Sequence, residues 1–200
     1  MRHLLLSMLC FTGICLTTSC GSDNNQTQEN TETTASTDTI GTAVIGGDST
    51  LTDDQRSLFE HIARHTSLQV ELGKLAAQKG TSDAVKQYGT QMQEMYTTRQ
   101  KELQEMAQSY NLTLNQEIDE NYRDDVEAVT SAEKDKFDEK YWDTIIDAQQ
   151  DLLKEYDDVL KEVDKSEPTA FYVWAQTSMK ELRAQMEQAM ANKAQLKATM

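Results

Sequence analysis

Apolar residues recur every three or four positions along most of residues 51–200, which is the spacing of an amphipathic α-helix. Four long stretches of this kind follow one another, without the alternation that is typical of β-strands. Their expected inward positions are Leu58, Ile62, His65, Leu68, Leu72, Leu75 and Ala76; Val85, Tyr88, Met92, Met95, Arg99, Leu103, Met106 and Tyr110; Phe137, Tyr141, Ile145, Ala148, Leu152, Tyr156, Val159 and Val163; and Phe171, Trp174, Ala175, Met179, Leu182, Met186, Met190 and Leu196. The pattern predicts an all-α fold, an antiparallel four-helix bundle, over residues 51–200.

The first helix has signals at both ends. Thr52 and Gln55 have the spacing of a capping box, in which each side chain binds the backbone of the other residue. Gly80 is typical of a helix end, and Thr81 or Ser82 is suited to open the next helix. We therefore expect a helical hairpin with a short turn near residue 80.

The connection to the third long helix has a weaker pattern. Residues 111–130 are acidic and lose the apolar period, so we interpret them as a loop with room for one short helix. A second capping-box match, Thr130 with Glu133, predicts the start of the third long helix. The chain's single proline, Pro168, predicts a break before the fourth.

The first 19 residues have the layout of an export signal. A charged start, the apolar run "LLLSMLCFTGICL" and small polar residues lead to Cys20. The apolar run of about 13 residues is too short to cross a bilayer core of about 30 Å. A cysteine in this position resembles a bacterial lipobox, although Leu16 lies four residues before Cys20 rather than the usual three. We predict removal of residues 1–19 and lipidation of Cys20; an ordinary secretory signal cut nearby is the alternative.

The segment after Cys20 differs in composition from the rest of the chain. Residues 21–50 contain no Lys, Arg, aromatic residue or Pro, and consist mostly of small polar and acidic residues. Such a segment buries too little apolar surface to offset its ordering entropy. Residues 20–50 are thus predicted to be a lipidated cysteine followed by a disordered linker. We expect an exported protein anchored by lipid to the bacterial cell envelope, in the outer membrane, on its periplasmic or its outer side.

The formal net charge of −15 bears on possible partners. An acidic surface repels phosphate backbones, so nucleic-acid binding lacks its electrostatic driving force. It also disfavours adsorption to anionic lipids, which leaves the N-terminal lipid as the expected membrane contact. A protein partner is left unidentified, and pairing of methionine-rich helix faces between copies allows a homo-oligomer.

Few residues offer chemistry. A dinuclear metal site in a helical bundle needs paired Glu-x-x-His motifs, yet beyond His3 the chain contains only His61 and His65. We expect His61 at the surface and His65 at the edge of the bundle, with no metal and no cofactor bound. No nucleophile elbow, phosphate-binding glycine loop or Cys-x-x-Cys pair occurs either, which predicts a protein that is not an enzyme.

The stretch "VELGKLAAQKGTSDAVKQYGTQM" resembles the bacterial family called domain of unknown function 4142. The likeness continues through "KELQEMAQSYNLTL" and "FDEKYWDTIIDAQQDLLKEYDDVLKE", and covers about residues 54–196. The resemblance implies a ferritin-like four-helix bundle in an exported bacterial protein without an established enzyme activity.

Many members of that family carry an Asp-His pair in the second helix, another in the third, and a His in the fourth. This chain has instead Met95 and Tyr96, Ala148 and Gln149, and Leu182 or Arg183 at these places. Only Glu71 persists from the recurrent polar set. The sequence thus favours a membrane-anchored envelope lipoprotein with a noncatalytic binding or structural module. The alternative is a degenerate ferritin-like metal-binding protein that uses Glu71 with His65 and other inward acidic residues as ligands.

Overall fold

The computed structural model describes residues 50–162 and 169–199, and these are all-helical, as predicted. Within these two ranges there are five helices and no strand. They are α1 (Asp53–Lys79), α2 (Asp83–Ser109), α3 (Glu120–Thr130), α4 (Phe137–Lys161) and α5 (Ala170–Thr199). The predicted signal segment, Cys20 and nearly all of the linker lie outside the described residues, as do Val163 and Pro168.

The predicted ends of the first helix are confirmed. The Thr52 side chain accepts a hydrogen bond from the backbone N–H of Gln55 at 3.2 Å, and Gln55 Oε1 accepts one from the N–H of Thr52 at 3.0 Å. Gly80 caps the C-terminus through its own N–H to the carbonyl of Ala76. Ser82 then caps α2 by accepting a hydrogen bond from the N–H of Val85. The local polar pattern therefore correctly marks where α1 begins and ends and where α2 begins.

The predicted start of the third long helix at Thr130 is wrong. Thr130 is the last residue of α3, and α4 begins at Phe137 without a side-chain cap on Lys136. The short helix α3 begins at Glu120, after the N-cap residue Asp119, whose carboxylate accepts a hydrogen bond from the N–H of Tyr122 at 3.1 Å. It continues through residue 130 because Val129 is fully buried against the core.

The end of α2 returns the chain towards α1. Asn111 adopts a left-handed conformation with φ 56°, which asparagine tolerates better than most residues. The N–H of Leu112 donates to the carbonyl of Ala107 and that of Asn111 to Gln108, the two bonds of a Schellman motif. The following segment lies on α1, where the Ser67 hydroxyl donates to the carbonyl of Gln116.

Helix α1 lies at the centre of the packing and contacts α2, α3 and α4, while α4 also contacts α5. Buried apolar residues form two clusters. One surrounds Phe59, whose ring stacks on Trp174 with centroids 4.9 Å apart. The other surrounds Trp142, which meets Tyr88 edge-on at 4.9 Å. No helix among the described residues combines the length and the apolar composition that crossing a membrane requires.

Candidate functional site

The sequence-predicted candidate His65 lies inside the domain and not at its edge, which corrects that prediction. Its side chain is 1% exposed, and its ring meets the ring of Tyr96 edge-on with centroids 5.9 Å apart. Burial, followed by the charge of Arg99, lowers the pKa of His65 to about 3. The imidazole is therefore neutral at physiological pH. Neither ring nitrogen has a hydrogen-bond partner within the described part of the chain.

The second candidate, Glu71, occupies a different face of α1. Its carboxylate is partly exposed and binds Lys74 Nζ at 3.1 Å. Six residues correspond to about 600° of helical rotation, so Glu71 and His65 point about 120° apart. The structure does not bring the two candidate ligands together. Across residues 50–162 and 169–199, no group of three or more His, Cys, Asp or Glu side chains is arranged to hold a metal ion.

His65 belongs instead to a set of buried polar side chains contributed by four helices. We call this set the polar core; it consists of His65, Gln69, Tyr88, Tyr96, Tyr141, Gln149 and Gln185. The Tyr96 hydroxyl donates to Gln185 Oε1 at 2.6 Å, and the Tyr88 hydroxyl donates to the backbone carbonyl of Gln185 at 3.3 Å. Gln185 thereby joins α5 to α2.

The tyrosines of the polar core stay protonated. Burial raises the pKa of Tyr88 to about 12, and it also raises the pKa values of Tyr96 and Tyr141 well above their ordinary value. The Gln149 amide lies close enough to the hydroxyls of Tyr88 and Tyr96 to oppose this rise, although neither contact has good hydrogen-bond geometry. The polar core thus consists of a neutral imidazole, three amides and three phenols, and it carries no net charge at neutral pH.

A second feature is an open groove with a volume of about 700 Å³ beside α1, α3 and α4. We call it the acidic groove; its lining residues are His61, Arg64, Asp119, Tyr122, Asp124, Asp125, Asp151, Leu152, Lys154 and Glu155. Five of these are carboxylates, against the two permanent cations Arg64 and Lys154. The groove therefore has an excess of negative charge.

Ion pairs compensate only part of that charge. Arg64 Nε lies 3.2 Å from Asp119 Oδ2, and Lys154 Nζ lies 2.6 Å from Asp151 Oδ1. Asp125 is partly buried, and this burial, together with the charges of nearby aspartates, raises its pKa against the opposing effect of Lys140. The electrostatics of the groove favour cationic over anionic groups.

The family of the chain follows from its sequence. The family model described as "Domain of unknown function (DUF4142)" matches residues 42–191, which is three quarters of the chain. The chain belongs to this family. The resemblance noted in the sequence is thereby confirmed. No curated protein and no solved structure matches the chain.

Two positions at which the sequence resemblance implies histidines in other members lie in the polar core. Tyr96 and Gln149, which stand where the resemblance implies histidines, lie there with His65. Sequence reasoning missed Gln69 and Gln185 altogether. For Gln69 a signal existed, because it follows His65 by four residues and so shares its helix face.

Proposed function

We propose that this chain is a lipoprotein of the bacterial cell envelope, with lipid on Cys20 and a helical domain that serves as a noncatalytic binding or structural module. The observation that carries the proposal is the position of Cys20, directly after an export-like segment and before a polar linker. After cleavage Cys20 is the only cysteine left in the chain, so it cannot form an internal disulfide. Lipidation explains why an exported protein keeps this single cysteine. The linker of about 30 residues gives the domain a reach of about 30 Å from the membrane.

The helical domain itself is proposed to be an antiparallel four-helix bundle of the ferritin-like type. Contacts of α1 with α2 and α4, and of α4 with α5, support it. The remaining pair of neighbouring helices, α2 and α5, is joined by an ion pair between Arg99 and Glu181. In this arrangement α2 and α4 run in the same direction, so the connection containing α3 crosses the length of the bundle. One long crossover of this kind is typical of ferritin-like folds.

The chemistry of the buried groups supports a module without catalysis. The polar core is buried, and its imidazole, amides and phenols are neutral. A catalytic base needs both access to substrate and a pKa near the working pH. His65 has neither property, since it is 1% exposed and burial lowers its pKa to about 3.

The charge of the domain supports a basic protein region as its partner, rather than a nucleic acid. The acidic groove presents five carboxylates, and the whole chain has a net charge of −15. Such a surface attracts cationic groups and repels phosphate. A homo-oligomer is compatible with this proposal, and sedimentation of the purified protein at several concentrations tests it.

Lipid labelling of the full chain in a bacterial host tests the anchor. We expect an alkyne-tagged palmitate to label the wild-type protein and the Cys15→Ala control, but not Cys20→Ala. Labelling is the decisive readout, because an unprocessed variant can stay at the membrane through its signal segment. Labelling of Cys20→Ala at the wild-type level would overturn the proposed anchor.

The alternative, a degenerate ferritin-like metal protein, has one observation in its favour. His65 has two ring nitrogens without a partner among the described residues. Metal analysis of protein purified without chelator tests it, with the expectation of no metal in stoichiometric amount. Stoichiometric iron, manganese or zinc that is lost in His65→Gln would favour the alternative instead.

A further inference from the structure

Four side chains of the polar core have more hydrogen-bonding capacity than the surrounding protein satisfies. Both nitrogens of His65, both amide atoms of Gln69 and of Gln149, and the hydroxyl of Tyr141 are buried without a partner in the described ranges. Gln69, Gln149 and Tyr141 are fully buried, and His65 is 1% exposed. Buried polar groups are normally paired with protein or with ordered water, since leaving them unpaired is costly.

The unsatisfied groups lie together rather than scattered through the domain. Gln69 lies one helical turn from His65 on the same face of α1. Tyr96 of α2 lies between α1 and α4, because its ring contacts His65 of α1 and its hydroxyl lies near the Gln149 amide of α4. Tyr141 adjoins the same region through its edge-on contact with Tyr88, whose hydroxyl also lies near Gln149. These groups define one internal polar site.

The chemistry of these groups selects the occupant. The amides and the neutral imidazole each offer both donors and acceptors, and no carboxylate or thiolate belongs to the set. A divalent cation would therefore be buried without a compensating negative charge, which is strongly unfavourable. An anion gains no free counter-charge either, because the nearby Arg99 is already paired with Glu181. A small neutral molecule that donates and accepts fits the set, and buried water in proteins makes two to four such bonds.

We propose that the polar core is an internal water-binding site, in which long-lived water molecules bridge His65, Gln69 and Gln149. This inference goes beyond the proposed function and is independent of lipidation at Cys20. The waters would hydrogen-bond groups of α1 and α4 across the centre of the domain. They would thus account for polar side chains at places where an apolar core would otherwise be expected.

Water-¹⁷O relaxation dispersion of the full chain tests the proposal. We expect a contribution from long-lived internal water in the wild type, and its loss by half or more in Gln149→Leu and in Gln69→Leu. Gln150→Leu is the matched control, because Gln150 is the next residue on α4 and is exposed. It is expected to leave the contribution unchanged. An unchanged signal in both core variants, or no long-lived water in the wild type, would overturn the site.

A second measurement on the wild type does not depend on the folding of any variant. We expect water cross-peaks in rotating-frame NMR spectra at the side-chain NH₂ groups of Gln69 and Gln149. Gln185 provides the internal comparison, because both its amide atoms are paired within the protein, Oε1 with the Tyr96 hydroxyl at 2.6 Å and Nε2 with Met95 Sδ at 3.4 Å. If neither Gln69 nor Gln149 shows a water contact, the proposal is refuted.

Discussion

Gly73 of α1 and Gly89 of α2 face each other so closely that neither position has room for a side chain. A Cβ atom on Gly73 would lie 2.7 Å from the carbonyl oxygen of Gly89, and one on Gly89 would lie 2.8 Å from that of Gly73. Ala76 also abuts Gly89 at this crossing. Because these neighbours are backbone or short side chains, they cannot rotate away. The two glycines thus set the distance between α1 and α2.

Replacing either glycine by alanine should therefore destabilise the domain. Alanine favours a helix by about 1 kcal/mol over glycine, but overpacking a tight contact costs about 1–3 kcal/mol. We expect Gly89→Ala to lower the free energy of unfolding by up to about 2 kcal/mol, measured by urea denaturation. The exposed control Gln87→Ala on the same helix should change it little. A Gly89→Ala protein that is more stable than the wild type would refute the tight crossing.

Asp138 connects the start of α4 to the turn between α1 and α2. Its carboxylate accepts hydrogen bonds from the backbone N–H groups of Thr81 at 2.7 Å and Ser82 at 2.8 Å, and the residue is 3% exposed. Burial alone would raise the pKa of Asp138, but these donors outweigh it and the net pKa is lowered. The charged form is therefore favoured in the folded protein.

Asp138→Asn should weaken this connection in a pH-dependent manner. A carboxyl group whose pKa is lowered on folding contributes stability above its unfolded pKa of about 3.9, and this is lost as the pH falls through the folded value. We expect a loss of about 1–3 kcal/mol near neutral pH, and convergence of mutant and wild type as the pH falls through the lowered pKa of the folded state. Urea melts at several pH values measure this. Asp135→Asn, in the exposed turn before α4, is the control, and equal effects of both variants would contradict the role of Asp138.

Long apolar stripes explain why the helices were predictable, whereas the start of α4 was not. Thr52 with Gln55 and Thr130 with Glu133 match one motif, but only the first pair caps a helix. The difference lies in tertiary structure, because burial of Val129 extends α3 through the second match. A capping-box sequence shows only that a residue is able to cap a helix, and tertiary packing determines whether a helix begins there.

The polar core was predictable only in part, for a related reason. Gln69 and Gln149 lie on faces that are otherwise apolar, and a hydropathy pattern assigns glutamine to the surface. Their burial follows from how α1, α2 and α4 meet, which no local period encodes. His65 falls on the apolar stripe of α1, so its place on the inward face follows from the sequence. Its complete burial beside Tyr96 does not.

Ser67 of α1 holds the segment after α2 against α1 through hydrogen bonds. Its hydroxyl donates to the carbonyl of Gln116 at 2.5 Å and accepts a hydrogen bond from the Gln100 side chain at 3.2 Å. Gln116 in turn donates from its side chain to the carbonyl of Gln100 at 3.1 Å. These bonds link α1, α2 and the loop that leads to α3.

Ser67→Ala should loosen this loop more than it destabilises the whole domain. Losing a buried hydroxyl with several partners costs about 1–2 kcal/mol, and the freed Gln116 carbonyl lies in a loop that can move. We expect faster amide hydrogen exchange in residues 112–119, with exchange of α4 nearly unchanged. Ser57→Ala, on the exposed face of α1, is the control. Protection of the loop equal to that of the wild type would show that Ser67 does not hold it.

His65 should make the domain sensitive to mild acid. Its pKa falls from an ordinary 6.5 to about 3 on folding, so the unfolded chain binds a proton that the folded chain does not. For such a group stability is complete above the unfolded pKa and declines as the pH falls below about 6.5. Arg99 adds to the effect, because its positive charge opposes a second cation beside it.

Between about pH 7.5 and pH 5.5, we expect the titration of His65 to lower the free energy of unfolding by about 1 kcal/mol. His65→Gln removes the titrating group but keeps a polar side chain, so that part of the pH dependence should vanish even if the variant is less stable overall. His61→Gln, at a partly exposed position on α1, should retain it. Urea denaturation of the three proteins at both pH values gives the slope of the free energy of unfolding against pH. If His65→Gln and the wild type have the same slope, the imidazole is accessible to protons in the folded state, and its isolation in the polar core is refuted.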